Sequence, residues 1–108
     1  MTAGWGEVWW VELPHTQRRP GLVLTRPEAI SILPVVLVAP LTTVLRGLPT
    51  EVVVDEDDGM AQRSVINLDT PELIPKGSLI AHMTTLAPAR MHQVCRALGV
   101  AVNCSPPL

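Results

Sequence analysis

Ile30-Ser-Ile-Leu-Pro-Val-Val-Leu-Val-Ala-Pro-Leu41 is the most apolar stretch of the chain, and its reading decides the fold. It is about twelve residues long and is interrupted by Pro34 and Pro40. A membrane span needs roughly twenty uninterrupted apolar residues, so the stretch reads as a buried strand. Its heart, Val35-Val-Leu-Val-Ala39, is apolar on both faces, which places it centrally in a sheet.

Working outward, Gly21-Leu-Val-Leu-Thr25 reads as a strand and Arg26-Pro-Glu28 as the turn after it. Glu7-Val-Trp-Trp-Val-Glu-Leu13, bracketed by Gly6 and Pro14, is a first strand, followed by the polar loop Pro14–Arg19. On the other side, Thr50–Val54 and Arg63–Asp69 are strands flanking an acidic turn, Asp55-Glu-Asp-Asp-Gly59. Pro71 and Pro75 predict irregular chain until Gly77 opens a last strand, Ser78–Leu86. After Pro88 the period changes. Met91, Val94, Cys95, Leu98 and Val102 fall on one face of a helix, with Arg90, His92, Gln93 and Arg96 on the other. Asn103–Leu108, with two prolines, reads as a frayed tail. The expected fold class is mainly β, a small barrel closed by one C-terminal helix, in a single domain over 1–108.

Composition agrees. The 108 residues are 47% hydrophobic and 17% charged, enough to build a core, but only 3% aromatic, so Val, Leu, Ile and Ala must fill it. Eleven prolines exclude a long helical bundle. The net charge of −2 excludes a generally basic coat for nucleic acid. The basic residues are nonetheless uneven. Up to Thr50 there are four basic and three acidic residues, and beyond it four basic and seven acidic. Arg18, Arg19, Arg26 and Arg46 all lie on the early loops and strand ends, where they form candidates for holding an anionic ligand.

Other chemistry is thin. There is no phosphate-cradling glycine loop, no Gly-x-Ser-x-Gly and no His-Glu-x-x-His. His92 and Cys95, three apart on the helix, are only two ligands where zinc needs three or four, so no metal and no cofactor is expected. Cys95 then reads as a core thiol beside a surface histidine. The acidic run lacks the alternating ligands of a calcium loop and reads as a solvated turn. Met1–Glu12 alternates polar and apolar residues rather than forming a leader. With Cys95 and Cys104 read as reduced thiols, the expectation is a cytoplasmic protein without a membrane segment.

Several segments in order carry a resemblance: Gly6-Glu-Val-Trp-Trp-Val-Glu-Leu13, Arg19-Pro-Gly-Leu-Val-Leu24, Val38-Ala-Pro-Leu-Thr42, Leu48-Pro-Thr-Glu-Val52 and Ser64-Val-Ile-Asn-Leu-Asp69. Together, over Gly6 to Leu98, they resemble the MazF/PemK family of toxin endoribonucleases. The resemblance implies an SH3-like barrel with a C-terminal helix, assembled as a homodimer and neutralised by a cognate MazE-like antitoxin. It implies cleavage of single-stranded RNA without a metal, the ribose 2′-OH attacking the phosphate to leave a 2′,3′-cyclic phosphate and a 5′-OH. Arg19 matches the family's active-site arginine, and its planar fork suits phosphate oxygens. Thr42 matches the active-site threonine, whose hydroxyl can orient the phosphate.

Asp69 lies where PemK-type relatives carry an aspartate proposed as base, with Asn67 standing where they have an arginine two residues earlier. His15 is a candidate proton shuttle, its ordinary pKa lying near about 6.5, and with Arg18, Arg26 and Arg46 it completes the expected RNA-binding set. The loop before Arg19 is shorter than is usual in the family, and Ala87 replaces a capping serine before Pro88. Two other readings stay open at this point: a non-catalytic, CcdB-like gyrase-binding poison, and a degenerate module that only binds antitoxin.

Overall fold

Seven strands and two helices build the chain in the computed structural model, which describes residues 3–104. The strands are β1 (Glu7–Val11), β2 (Arg19–Val23), β3 (Val35–Thr42), β4 (Glu51–Val54), β5 (Ser64–Asn67), β6 (Glu72–Pro75) and β7 (Leu79–Thr85). The helices are the single turn α1 (Pro27–Ile30) and the longer α2 (Pro88–Ala101). Spatial order is β4-β5-β3-β2-β1-β7, with β6 paired to β3 off that path. β3 is the spine. Val38 pairs Val23 of β2 on one edge and Glu72 of β6 on the other, and Leu41 and Thr42 go on to pair β5.

Alternation along these strands explains why they read as apolar all round. Val8, Leu22, Ala39, Leu41, Val54 and Ile66 point to one core, roofed by Met91, Val94 and Ala97 of α2. Their neighbours Trp9, Val11, Val23, Val36 and Val38 point to a second core, covered by Ile30, Ile74 and Leu79. Each strand residue reverses face relative to the one before it, so a strand buried on both sides shows no polar alternation.

The barrel-like, mainly β fold with a C-terminal helix is as expected, although β4 and β7 do not pair to close the sheet. Four local readings are corrected. The Ile30–Leu41 stretch is not one strand: Ile30 ends α1, and Ile32 is 75% exposed before β3 begins. Arg26–Glu28 leads into that helical turn, with Pro27 at its first position. The Pro71–Pro75 segment is not irregular but forms β6; its closing proline sits at a strand end, where a missing N–H is tolerated. Along α2 the buried residues are Met91, Val94 and Ala97, while Cys95 is exposed and not a core thiol, and Val102 is 57% exposed. The stripe is rotated because small Ala97 and half-buried Leu98 and Ala101 complete it. Ala87 makes no side-chain cap, and the helix ends instead on Asn103 at φ 59°, with Asn103 N–H bonded to Val100 and Cys104 N–H to Gly99. The tail expected over Asn103–Leu108 lies outside the described residues from 105 onward.

The acidic turn is more than solvated chain. Asp55 caps a 3-10 turn over Glu56–Asp58 and accepts from Asp57 N–H, while Asp58 reaches back to Asp55 N–H. Gly59 follows at φ 86°, against the Thr84 side chain, where a Cβ would collide. Thr84 of β7 donates its hydroxyl to the Asp58 carbonyl at 2.8 Å. Arg90 of α2 grips the Asp58 carboxylate with two hydrogen bonds, 2.9 and 3.1 Å. This clasp ties the ends of β4, β7 and α2 where no strand pairing joins them.

Burial pushes the Asp58 carboxyl up, but Arg90's hydrogen bond and charge, with Asp55 N–H, outweigh it and hold the group below the ordinary carboxylate range. A carboxyl more acidic folded than unfolded stabilises the fold above its unfolded pKa, and loses that contribution as pH falls through the folded value. Asp58→Asn is therefore expected to lower unfolding free energy by about 1–3 kcal/mol near neutral pH. The gap to the unsubstituted protein should narrow in acid, below about pH 4. Urea denaturation of both proteins across that range checks it, and a gap that widened in acid would contradict the assignment.

Candidate active site

Arg19 opens β2 directly opposite Val11 of β1. On its other side β2 pairs β3 through Val23↔Val38, Leu22↔Ala39 and Gly21↔Pro40. Continued by two residues, that register sets Arg19 across from Thr42, the last residue of β3. Alternation puts both on the face that carries Val11 and Val38. Gly21 keeps this face concave: a Cβ there would stand 3.0 Å from Val11 Cγ2 and 3.5 Å from Val38 Cβ. The result is a small cleft of about 70 Å³ whose lining includes Arg19, Gly21, Val38, Pro40 and Glu72, with Thr42 on the same face but outside the lining.

Arg19 is exposed and makes no hydrogen bond or ion pair among the described residues, so its guanidinium is free to meet an anion. Thr42 Oγ1 accepts the Val44 N–H at 3.2 Å, which leaves its own O–H to donate elsewhere. Asp69 belongs to a different local group. Its carboxylate accepts the hydroxyl of buried Thr50 at 2.5 Å, and its N–H is held by the Asn67 side chain at 2.8 Å. His15 is exposed on the loop that leads into Arg19. Arg18, on the same loop, pairs with Glu12 at 3.3 Å, an exposed contact of little energetic weight. Arg46 lies on the loop that follows Thr42. Arg26 is past the opposite end of β2, so the structure does not gather it with the others. Among the described residues no three His, Cys, Asp or Glu side chains form a group that could hold a metal ion.

Two acidic residues escape a reading by sequence alone. Glu51 shapes the loop between Thr42 and β4: its carboxylate accepts Arg46 N–H at 3.1 Å and Leu48 N–H at 2.9 Å, around Gly47 at φ 75°. Successive backbone N–H groups curled in this way form an anion nest, here filled by the chain's own side chain. The loop it holds exposes Val44, Leu45 and Leu48. Glu72 lines the cleft itself, and its only sequence signal is position, four residues before Lys76 in a stretch bounded by prolines.

Thr50→Val keeps the side chain's shape but deletes the donor to Asp69. The expected result is a loss of about 1 kcal/mol in stability, measured by denaturant titration. A larger loss, above about 4 kcal/mol, would mean the pair organises more than the β4–β5 end.

Comparison with known proteins gives the family. The sequence model for "PemK-like, MazF-like toxin of type II toxin-antitoxin system" matches residues 5–102. The Mycobacterium tuberculosis protein named "Probable endoribonuclease MazF5" is 46% identical over 101 residues, covering 93% of each chain. The solved structure of the Mycobacterium tuberculosis toxin MazF-mt6 superposes with TM-score 0.84 at 34% identity, over 93% of this chain and 99% of that one. A mycobacterial endoribonuclease solved with its cognate antitoxin superposes with TM-score 0.87 at 25% identity, over 97% and 99%.

Proposed function

The chain belongs to the PemK-like, MazF-like toxin family of type II toxin–antitoxin systems, and we propose that it cuts single-stranded RNA on the face that carries Arg19 and Thr42. It is a MazF-like endoribonuclease toxin. The observation that carries the site is the register that brings an unpaired arginine and a threonine with a free O–H to facing positions on one concave face.

The chemistry follows from those two groups. In the attack of a ribose 2′-OH on the adjacent phosphorus, negative charge builds on the non-bridging oxygens. Arg19's fork neutralises it with paired N–H donors. Thr42 donates to the same phosphate and fixes its orientation for in-line attack. The reaction leaves a 2′,3′-cyclic phosphate and a 5′-OH and needs no metal. Asp69 is retained as the third member of the site, acting from the end of β5. His15, Arg18 and Arg46 are placed to follow the RNA on either side of the cleft, and Arg26 meets a distal stretch of it.

Partners and setting belong to the same reading. The exposed Val44, Leu45 and Leu48 on the loop after Thr42 supply apolar surface for a second copy and for a MazE-like antitoxin. The relative solved with its cognate antitoxin supports this assignment. No helix among the described residues is long and apolar enough to cross a membrane. The free thiols of Cys95 and Cys104 suit the reducing cytoplasm, where we place the protein.

The test is to incubate purified protein with mixed RNA in EDTA and analyse fragment ends. The expected products are discrete fragments with 5′-hydroxyl and cyclic-phosphate ends, absent with Arg19→Ala. Thr42→Ala should slow cleavage by about 10- to 1,000-fold. Undiminished cutting by Arg19→Ala would reject the site, and no cutting by well-folded wild type would reject the reaction.

A further inference from the structure

We propose that Glu72 is the general base of the cleft, the group that takes the proton from the attacking 2′-OH. The inference rests on the ribonuclease reading above and deepens it. Arg19 and Thr42 supply charge and orientation, but neither can accept that proton: a guanidinium has no lone pair to offer and a threonine hydroxyl is a weak base. The reaction needs a carboxylate or an imidazole within reach of the phosphate.

Glu72 is the only carboxylate that lines the cleft shared with Arg19 among the described residues. Its position is fixed by backbone pairing, opposite Val38 of β3, and pairing sets it on the same face as Val38, Pro40 and Thr42. From β2 the same Val38 is flanked by Val23, so Glu72 and the end of β2 approach the cleft from opposite edges of β3. The carboxylate is exposed and takes no hydrogen bond or ion pair among the described residues. The two strands thus hold an arginine and a glutamate on one concavity without joining them, leaving the space between for a substrate.

The other candidates are engaged or displaced. Asp69 already accepts the Thr50 hydroxyl at 2.5 Å and does not line the cleft. Glu51 is occupied by the N–H groups of Arg46 and Leu48, and Glu12 by Arg18. His15 is exposed on the approach loop and does not line the cleft.

The proposed step balances as follows. The Glu72 carboxylate accepts the 2′-OH proton as the O2′–P bond forms, and the P–O5′ bond breaks with its electron pair going to O5′. That oxygen takes a proton from a solvent water, and the hydroxide so formed recovers the proton from the Glu72 carboxyl. No water is consumed overall, and the products are the cyclic phosphate and the 5′-OH.

The experiment measures kcat and KM on a defined RNA oligonucleotide across pH for wild type, Glu72→Gln, Glu72→Asp, Asp69→Asn and Arg19→Ala. Circular dichroism confirms that each is folded, which an exposed, nearly isosteric change at position 72 should preserve. Glu72→Gln is expected to lose about 100-fold or more in kcat with KM changed less than about 3-fold. It should also lose the acidic limb of the pH–rate profile, which Glu72→Asp retains. Glu72→Gln with near wild-type kcat, or with the acidic limb intact, overturns the proposal, as does loss of that limb in Asp69→Asn instead. If Arg19→Ala cuts as well as wild type, the ribonuclease site itself is misplaced. An inactive Arg19→Ala beside an active Glu72→Gln removes only the base assignment.

Discussion

Everything in this molecule hangs on β3, an eight-residue strand paired along both edges and buried on both faces. A parallel sheet protects its central strand with helices, but here the same shielding comes from two apolar layers of unequal origin. One is the barrel interior under α2, the other a cover of α1, β6 and the start of β7. Leu41 is the last residue of β3 in the core, and after it the strand becomes a platform. Beyond it the chain presents Thr42 and then turns away into the loop held by Glu51. The cleft forms where β1, β2, β6 and the loop before Arg19 meet this strand.

The sheet nevertheless remains open between β4 and β7, and polar groups rather than a ladder hold that seam. A charge-assisted, two-pronged contact such as Arg90 with Asp58 fixes orientation as well as distance. α2 can then settle its small residues, Ala97 and Ala101, against the barrel. The seam and the cleft lie on different parts of the fold, so the acidic character of the second half of the chain is largely spent on structure. Of that acidic half, Glu72 is the carboxylate that lines the cleft with Arg19.

Much of this was legible in residues. The central placement of Val35–Ala39 followed from its two apolar faces, and the helix after Pro88 from its period. Arg19 and Thr42 were singled out by the ordered segments that resemble the toxin family. What escaped was long-range. Asp55–Asp58 read as a solvated turn because its partner Arg90 lies 32 residues away. β6 escaped because prolines bound it, although only an interior position would have broken a short edge strand. Glu72 was hidden with it. Cys95 was misplaced because counting large apolar side chains overlooks alanines that a close-packed helix uses.

Burial on both faces has a consequence for how the chain finds its fold. Where one face is wet, a slip of one residue turns apolar groups into water and is rejected at once. Here a slipped β2 or β3 would exchange one greasy layer for another, so polarity discriminates poorly between registers. The discrimination passes to shape, notably the absence of a side chain at Gly21 where Val11 and Val38 converge. Shape is tested only when all three strands have met, and the outermost pairing joins β1 to β7, near opposite ends of the chain. Such non-local closure is slow to assemble. The nascent protein thus spends its folding time with sticky, interchangeable strands exposed, a kinetic vulnerability written into the same double burial that makes the finished barrel firm.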